Sequence, residues 1–132
     1  MKDILTGIRN AYRSNATLSN AIHGMYFDTA SEGVSMPYIT YHLITNVPTW
    51  DFGVTTYERP LIQFSIYSDK VKSASEVLQI YSDLVLVYDN VTISTTNHTQ
   101  VLLQRGSSML RKLGGDEVWL FSVDYNTMFK GN

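Results

Sequence analysis

Residues 60–88 read PLIQFSIYSDKVKSASEVLQIYSDLVLVY, and inside this stretch the spacing of apolar residues changes from two to about 3.6. Ile62, Phe64 and Ile66 alternate with Leu61, Gln63, Ser65 and Tyr67, which predicts a strand with one buried face ending at Ser68. Pro60 has no N–H to give to a ladder, so it can stand only at the start of that strand or on an edge. Further on, Val71, Ala74, Val77, Leu78, Tyr81, Leu84, Val85 and Tyr88 fall on one helical stripe and predict the principal helix, about Asp69 to Tyr88. Ser73 and Glu76 have capping-box spacing, which would start the first regular turn later than Asp69. Leu84 to Tyr88 would suit a strand equally well. Each apolar stripe needs cover, so the expected core sets Ile62, Phe64 and Ile66 against Val77, Leu78 and Tyr81.

Working outward, Ile4, Leu5, Ile8, Ala11 and Tyr12 recur at helical spacing, predicting a first helix from Ile4 to about Asn15 with Asp3 as N-cap. A short turn from Leu18 to His23, capped by Thr17, stops at Gly24. A brief strand, Met25 to Asp28, precedes a small-residue loop over Thr29 to Met36. Pro37 opens a strand from Tyr38 to Val47, in which Ile39, Tyr41, Leu43 and Val47 share one face. Pro48 to Glu58 reads as a long hairpin loop rich in aromatics. Beyond Asp89-Asn90, Val91 to Thr96 and Thr99 to Arg105 suggest a hairpin about Asn97-His98, and Gly106 to Glu117 reads as a loop. The chain closes on a strand from Val118 to about Phe129, with Trp119, Phe121, Val123, Tyr125 and Phe129 on one face.

The order helix, strands, long helix, strands predicts an α+β fold: a single mainly antiparallel sheet with an N-terminal helix and one long central helix packed on a face. A length of 132 residues suits a single domain spanning 1–132, and no repeat or linker divides it. Ten Lys and Arg against twelve Asp and Glu leave a net charge of -2, which argues against sequence-specific nucleic-acid binding. Charged residues make up only 17%, with Ser, Thr and Asn supplying the remaining polarity. A hydroxyl- and amide-rich surface desolvates at lower cost than a charged one, and so favours packing against other protein. Asp3, Thr6, Arg9 and Asn10 interrupt any leader-like apolar run, and no stretch approaches the length of a membrane span, so the chain is expected to be cytosolic when made.

No constellation for catalysis emerges. The absence of Cys removes thiolate metal sites, disulfides and a Cys nucleophile. His23, His42 and His98 fall in different elements, without the spacing of a zinc site. No nucleophile elbow or phosphate-binding glycine motif occurs, and Asp116-Glu117, the one adjacent carboxylate pair, sits in an expected loop. Asn15-Ala16-Thr17, Asn90-Val91-Thr92 and Asn97-His98-Thr99 match glycosylation acceptors, but carry no weight without a secretory leader. The expectation is a protein that is not an enzyme and needs no cofactor or metal. What stands out is the 48–58 segment: Trp50, Phe52 and Tyr57 offer more apolar area than a short loop can bury alone, so it either folds back on its own domain or is reserved for a partner, and such side chains dominate interface energetics. Candidate interface residues are therefore Trp50, Phe52, Tyr57 and Arg59, with Arg105, Arg111 and Lys112 as a basic group that either docks a partner or forms a solvated face.

Met36-Pro37-Tyr38-Ile39-Thr40-Tyr41, followed by a loop, by Pro60 to Ser68 and by a helix carrying Ala74, resembles the tail-completion or tail-terminator family of long-tailed bacteriophages. The early helix, the Gly24-Met25-Tyr26 strand entry and the aromatic closing strand fall in the same order, so the resemblance spans nearly the whole chain. Gly106 to Leu113 and the Pro48 to Glu58 segment depart from the pattern, and no functional residue is carried over there. The resemblance implies a structural virion protein that forms a ring of six subunits on the head-proximal end of the tail tube. Its partners would be itself, the tail-tube protein and a neck or connector protein, at the tail-neck junction of the virion after assembly in the host cytoplasm. A neck connector or stopper on the portal side is the near alternative. A small α+β enzyme or ligand-binding domain, with a cavity between the sheet and the 69–88 helix, is the alternative from another class.

Overall fold

The structure, a computed structural model, describes residues 1–51, 55–115 and 117–132. Two helices, α1 (Lys2–Arg13) and α2 (Ala16–Ala21), lead into β1 (Met25–Phe27), β2 (Tyr38–Asn46), β3 (Thr49–Asp51), β4 (Thr55–Glu58) and β5 (Pro60–Ser68). Helix α3 (Ser75–Tyr88) follows, and then the long strands β6 (His98–Leu113) and β7 (Val118–Gly131). The strands form one seven-stranded sheet in which β1-β2-β5-β7-β4-β3 is the path and β6 pairs with the other flank of β7.

The α+β class holds, but the sheet is mixed and curled and is served by three helices. β1 runs parallel to β2, with Met25 opposite Ile39, although only the short connection 28–37 separates them. Asp28 and Gly33 in that connection adopt positive φ, of 63° and 80°, which lets the chain double back so quickly. Three other expectations are corrected. The predicted hairpin about Asn97-His98 does not form, because residues 91–97 leave α3 without pairing. Gly106 to Leu113, read as a loop, continues β6 as strand. Thr49–Asp51 and Thr55–Glu58 form a paired hairpin where an undivided loop was expected, while Phe52, Gly53 and Val54 lie outside the described residues.

The period-two segments behave as their patterns require. Ile39, Tyr41 and Leu43 of β2 stand beside Ile66, Phe64 and Ile62 of β5, which in turn stand beside Phe121, Val123 and Tyr125 of β7. This face packs on the helices. A bulge between Leu43 and Thr45 breaks the alternation, so Val47, expected on the buried face, lies beyond β2 and is exposed. Helix α3 starts at Ser75 behind an Ala74 N-cap, with the Ser73 hydroxyl accepting from the Ser75 N–H. Its buried stripe is Val77, Ile80, Leu84, Val87 and Tyr88, whereas Leu78, expected in the core, is 41% exposed. The expected stripe was wide enough to include a flank, and the helix turns its 80–84–87 side to the sheet. An aromatic cluster forms the centre: the Phe64 ring lies 4.6 Å from Tyr88 and 5.7 Å, edge-on, from Tyr125. Tyr88 Oη donates to Ile8 O at 2.7 Å, which ties α1 to α3, and burial raises this phenol far above its ordinary range.

Helix α1 is held from its other end as well. Its first turn contains Asp3, which was expected to cap it, but Met1 is the N-cap and the Asp3 carboxylate turns to the start of β6. There it accepts from His98 Nδ1–H at 2.9 Å and from the Asn97 N–H at 3.0 Å. Burial alone would raise this carboxyl, but these donors together outweigh it and hold the group at about 2. The same helix approaches residues 93–94 so closely that a Cβ on Gly7 would lie 2.6 Å from Ile93 Cγ2 and 2.7 Å from Ser94 O. The second helix uses Asn15, not Thr17, as its cap, accepting from the Leu18 N–H at 2.9 Å.

Three outcomes follow from this packing. Phe64→Ala should cost about 3–5 kcal/mol in denaturant unfolding, against less than about 1 kcal/mol for the half-exposed Leu78→Ala. Gly7→Ala should destabilise by about 1–3 kcal/mol, although alanine is the better helix former, since backbone has to move to admit the methyl. Asp3 is ionised below its ordinary pKa in the folded chain, so its contribution is complete above the unfolded value near 3.8 and lost as pH falls through about 2. Asp3→Asn should therefore lower stability by about 1 kcal/mol at neutral pH, solvent screening at this part-open site being allowed for, and by progressively less as pH falls from about 4 through 2. Melts of both proteins across that range check it.

Candidate assembly surface

Strand β6 is a sheet edge. Of its two flanks only one is paired among the described residues, to β7 from His98 opposite Gly131 through Leu113 opposite Val118. Beyond His98, whose N–H and C=O are both bonded to the Thr95 hydroxyl, the edge runs on to Leu113 with its outer flank without a partner strand among the described residues, the feature by which strands recruit other chains. Two bulges, between Gln100 and Leu102 and between Arg105 and Ser108, interrupt the edge and twist it. Val101, Leu102 and Met109 are 55%, 40% and 54% exposed, so apolar side chains line this edge without cover.

The sheet face turned away from the helices carries few charges. Reading across the strands, Tyr38, Tyr67, Leu120 and Arg111 form one row, and Thr40, Ser65, Ser122 and Met109 the next. His42, Gln63 and Asp124 form a third, closed by a 3.0 Å bond from Gln63 Nε2 to Asp124 Oδ1. Thr40 and Ser65 are buried although no helix covers them, so the curled sheet shelters its own middle row. The sequence showed these residues as the polar half of each alternation. Their adjacency across three strands depends on register, which one chain's pattern does not reveal.

The predicted interface residues do not all meet. Arg105, Arg111 and Lys112 share β6 but point to both faces. Arg105 is on the helix side, where it donates to Tyr81 Oη at 2.8 Å and lies 3.3 Å from Asp89 Oδ2. Lys112, also on that side, sits 4.7 Å from the Trp119 ring centroid. Arg111 is exposed on the open face beside Leu120. Tyr57 and Arg59 lie at the far side of β7: Tyr57, half-buried, pairs with Lys130, and exposed Arg59 links β4 to β5 with its N–H bonded to Asn46 Oδ1. Trp50 belongs to β3, opposite Thr56, and Phe52 is outside the described residues.

The histidines are dispersed too. His42 bridges Thr40 and Asp28, His98 serves Asp3, and His23 is exposed. Among the described residues no group of three His, Asp or Glu side chains is placed to hold a metal ion. The space between α3 and the sheet is filled by Phe64, Ile80, Leu84 and Tyr88. Open grooves of about 460 and 650 Å³ lie instead along α1, against residues 90–98. No helix among the described residues is long and apolar enough to cross a membrane.

No protein-family model matches the sequence, and no curated protein matches it. Among solved structures, the chain is similar to a chain in the virion of a native gene transfer agent particle. The two share 10% sequence identity, yet superpose with a TM-score of 0.81 over 98% of this chain and 96% of the other, so the fold is common to both from end to end.

Proposed function

We propose that this chain is a structural virion protein that closes into a ring on the head-proximal end of a phage tail tube, ends tube growth and joins tail to head. The observation that carries the reading is the end-to-end likeness of fold to a virion chain, with nearly all of both chains superposed. The Met36 to Tyr41 strand entry and the order of elements support the terminator role in particular, and a ring of six is what that resemblance implies. The surface is suited to assembly rather than to turnover: a long sheet edge with exposed Val101, Leu102 and Met109 along it. A head-to-tail contact in which one patch meets a different patch on the next copy closes into a ring when the rotation closes. Contacts of this kind desolvate little charge, so the ring should resist salt; exposed ion pairs contribute only about 0–1 kcal/mol each and are screened. On this reading the protein performs no catalysis and needs no cofactor.

The test is assembly. Purified protein should form closed rings in negative-stain micrographs, with sedimentation unchanged between low and high salt, and should cap tail tubes at their head-proximal end. Met109→Asp with Val101→Asp should leave the melting temperature within a few degrees of the parent and abolish rings. Tubes that keep growing in the presence of the protein would overturn the terminator role, and a ring that binds only the portal-side connector would make it a stopper. Rings that dissociate in moderate salt would show that ion pairs hold the interface.

A further inference from the structure

Helix α1 places Lys2, Leu5, Arg9 and Arg13 on one face, since steps of three, four and four residues stay within one stripe at 100° per residue. The stripe is about 16 Å long at 1.5 Å rise per residue. It does not face the core, which takes Ile4 and Ile8, nor His98, which takes Asp3. Instead it overlooks the edge strand β1, where it borders an open groove of about 430 Å³ floored by Leu5, Phe27 and Tyr41. Lys2, Arg9 and Arg13 are exposed, and none of them has an ion-pair partner among the described residues. Asp28, the exposed carboxylate that follows β1, is bonded to His42 Nδ1 at 3.2 Å. Phe27 is 43% exposed, with its ring 5.3 Å from that of buried Tyr41. A chain with net charge -2 thus gathers three of its ten cations along one apolar groove.

We propose that this groove docks an acidic segment of a partner protein, carboxylates meeting the Lys2–Arg9–Arg13 rim and one large apolar side chain settling on Phe27 and Leu5. Charge complementarity selects the acidic residues, because an unpaired cation row lowers the cost of bringing carboxylates together. The small cation count selects protein over nucleic acid: on a chain of net charge -2, three cations supply fewer phosphate contacts than nucleic-acid binding usually draws on, while carboxylates beside an apolar side chain match both the rim and Phe27. Arg9 and Arg13 can each hold a carboxylate with two parallel N–H donors, which adds geometry to the attraction. The inference stands on this face of α1 alone and does not depend on ring formation.

Fluorescence anisotropy with labelled synthetic peptides tests it. The probes are a run of glutamates around a central phenylalanine, the same run with serine in that place, and a short DNA duplex. The phenylalanine peptide should bind at low salt, the serine peptide at least about tenfold more weakly, and the duplex more weakly still. Arg9→Glu with Arg13→Glu should abolish binding, Arg9→Gln with Arg13→Gln should weaken it about tenfold or more, and Phe27→Ser should bring the two peptides to equal affinity. Thermal melts of the arginine variants should match the parent, because those side chains are exposed, and the Gln pair serves if the Glu pair does not fold; Phe27→Ser loses its contact with Tyr41 and is assayed at a temperature where its melt shows it folded. No binding of the phenylalanine peptide by the parent, binding undiminished in the Gln pair, equal affinity for both peptides in the parent, or tighter binding of the duplex would each overturn the proposal.

Discussion

Strand β7 carries two ladders at once, and the rest of the architecture follows from that. Along one flank it pairs with β5 from Trp119 to Asn126 and then with β4 at Phe129 and Lys130; along the other it pairs with β6 over its whole length. A strand so enclosed has no freedom of register, because a slip of one residue would carry Phe121, Val123, Tyr125 and Phe129 out of the core together. Fixing β7 fixes Phe64 opposite Val123 and brings Tyr125 against Phe64 and Tyr88. Tyr88 then reaches α1 through Ile8 O, and Tyr125 Oη donates to Asp89 at the end of α3. The helices are therefore positioned by hydroxyls that leave the aromatic core at its rim, where an acceptor is within reach.

What the sequence shows well is whatever is buried on one side only. β5 and β7 alternate on the expected face, including Ile62, Phe64 and Ile66, and β2 does so from Ile39 to Leu43, ahead of its bulge. Helix α3 is legible for the same reason, although Leu78 and Val77 are adjacent and equally apolar, so the pattern alone does not say which of them faces Phe64. β6 is legible only in its first part, Thr99 to Arg105, which reads as strand; Gly106 to Leu113 is opaque because both faces there are largely open. With no buried face, selection of side chains leaves no period, and Gly106-Ser107-Ser108 at a bulge looks like a turn. β1 was expected as a brief strand, Met25 to Asp28, and forms over Met25–Phe27; what its own residues do not show is the parallel pairing with β2, which the chain's return through Pro37 sets. Asp3 was recognised as a group that would accept N–H bonds at a helix start. Its real donors come from Asn97 and His98, more than ninety residues away, and no local pattern contains them.

The sequence suggested a kind of surface, and the structure shows which residues lie together on it. Low charge and abundant hydroxyls pointed to packing against protein, while the side chains that meet across the open face come from β2, β5 and β7 and are joined only by register. The basic residues divide on inspection of their partners. Arg105 is held by Tyr81 and Asp89 and serves to fasten β6 over α3, so its exposure overstates its freedom. Lys2, Arg9 and Arg13 have the spacing of a helical face, a signal present in the sequence from the start. That signal acquires meaning only when β1 lays Phe27 beside it.

An edge as long as β6 poses a problem for any chain that must stay soluble before it assembles. A flat, regular sixteen-residue edge would pair with whatever strand it met first. The two bulges and the Arg and Lys side chains along β6 work against such indiscriminate pairing, since a partner has to match the interruptions as well as the hydrogen bonds. If the partner is another copy of this chain, matching it repeats at every interface and error at one would prevent closure at all. On the proposed reading the irregularity of β6 makes a ring selective and is no weakness of the sheet, and the exposed Val101 and Met109 beside the bulges supply the attraction that the irregular backbone alone would not.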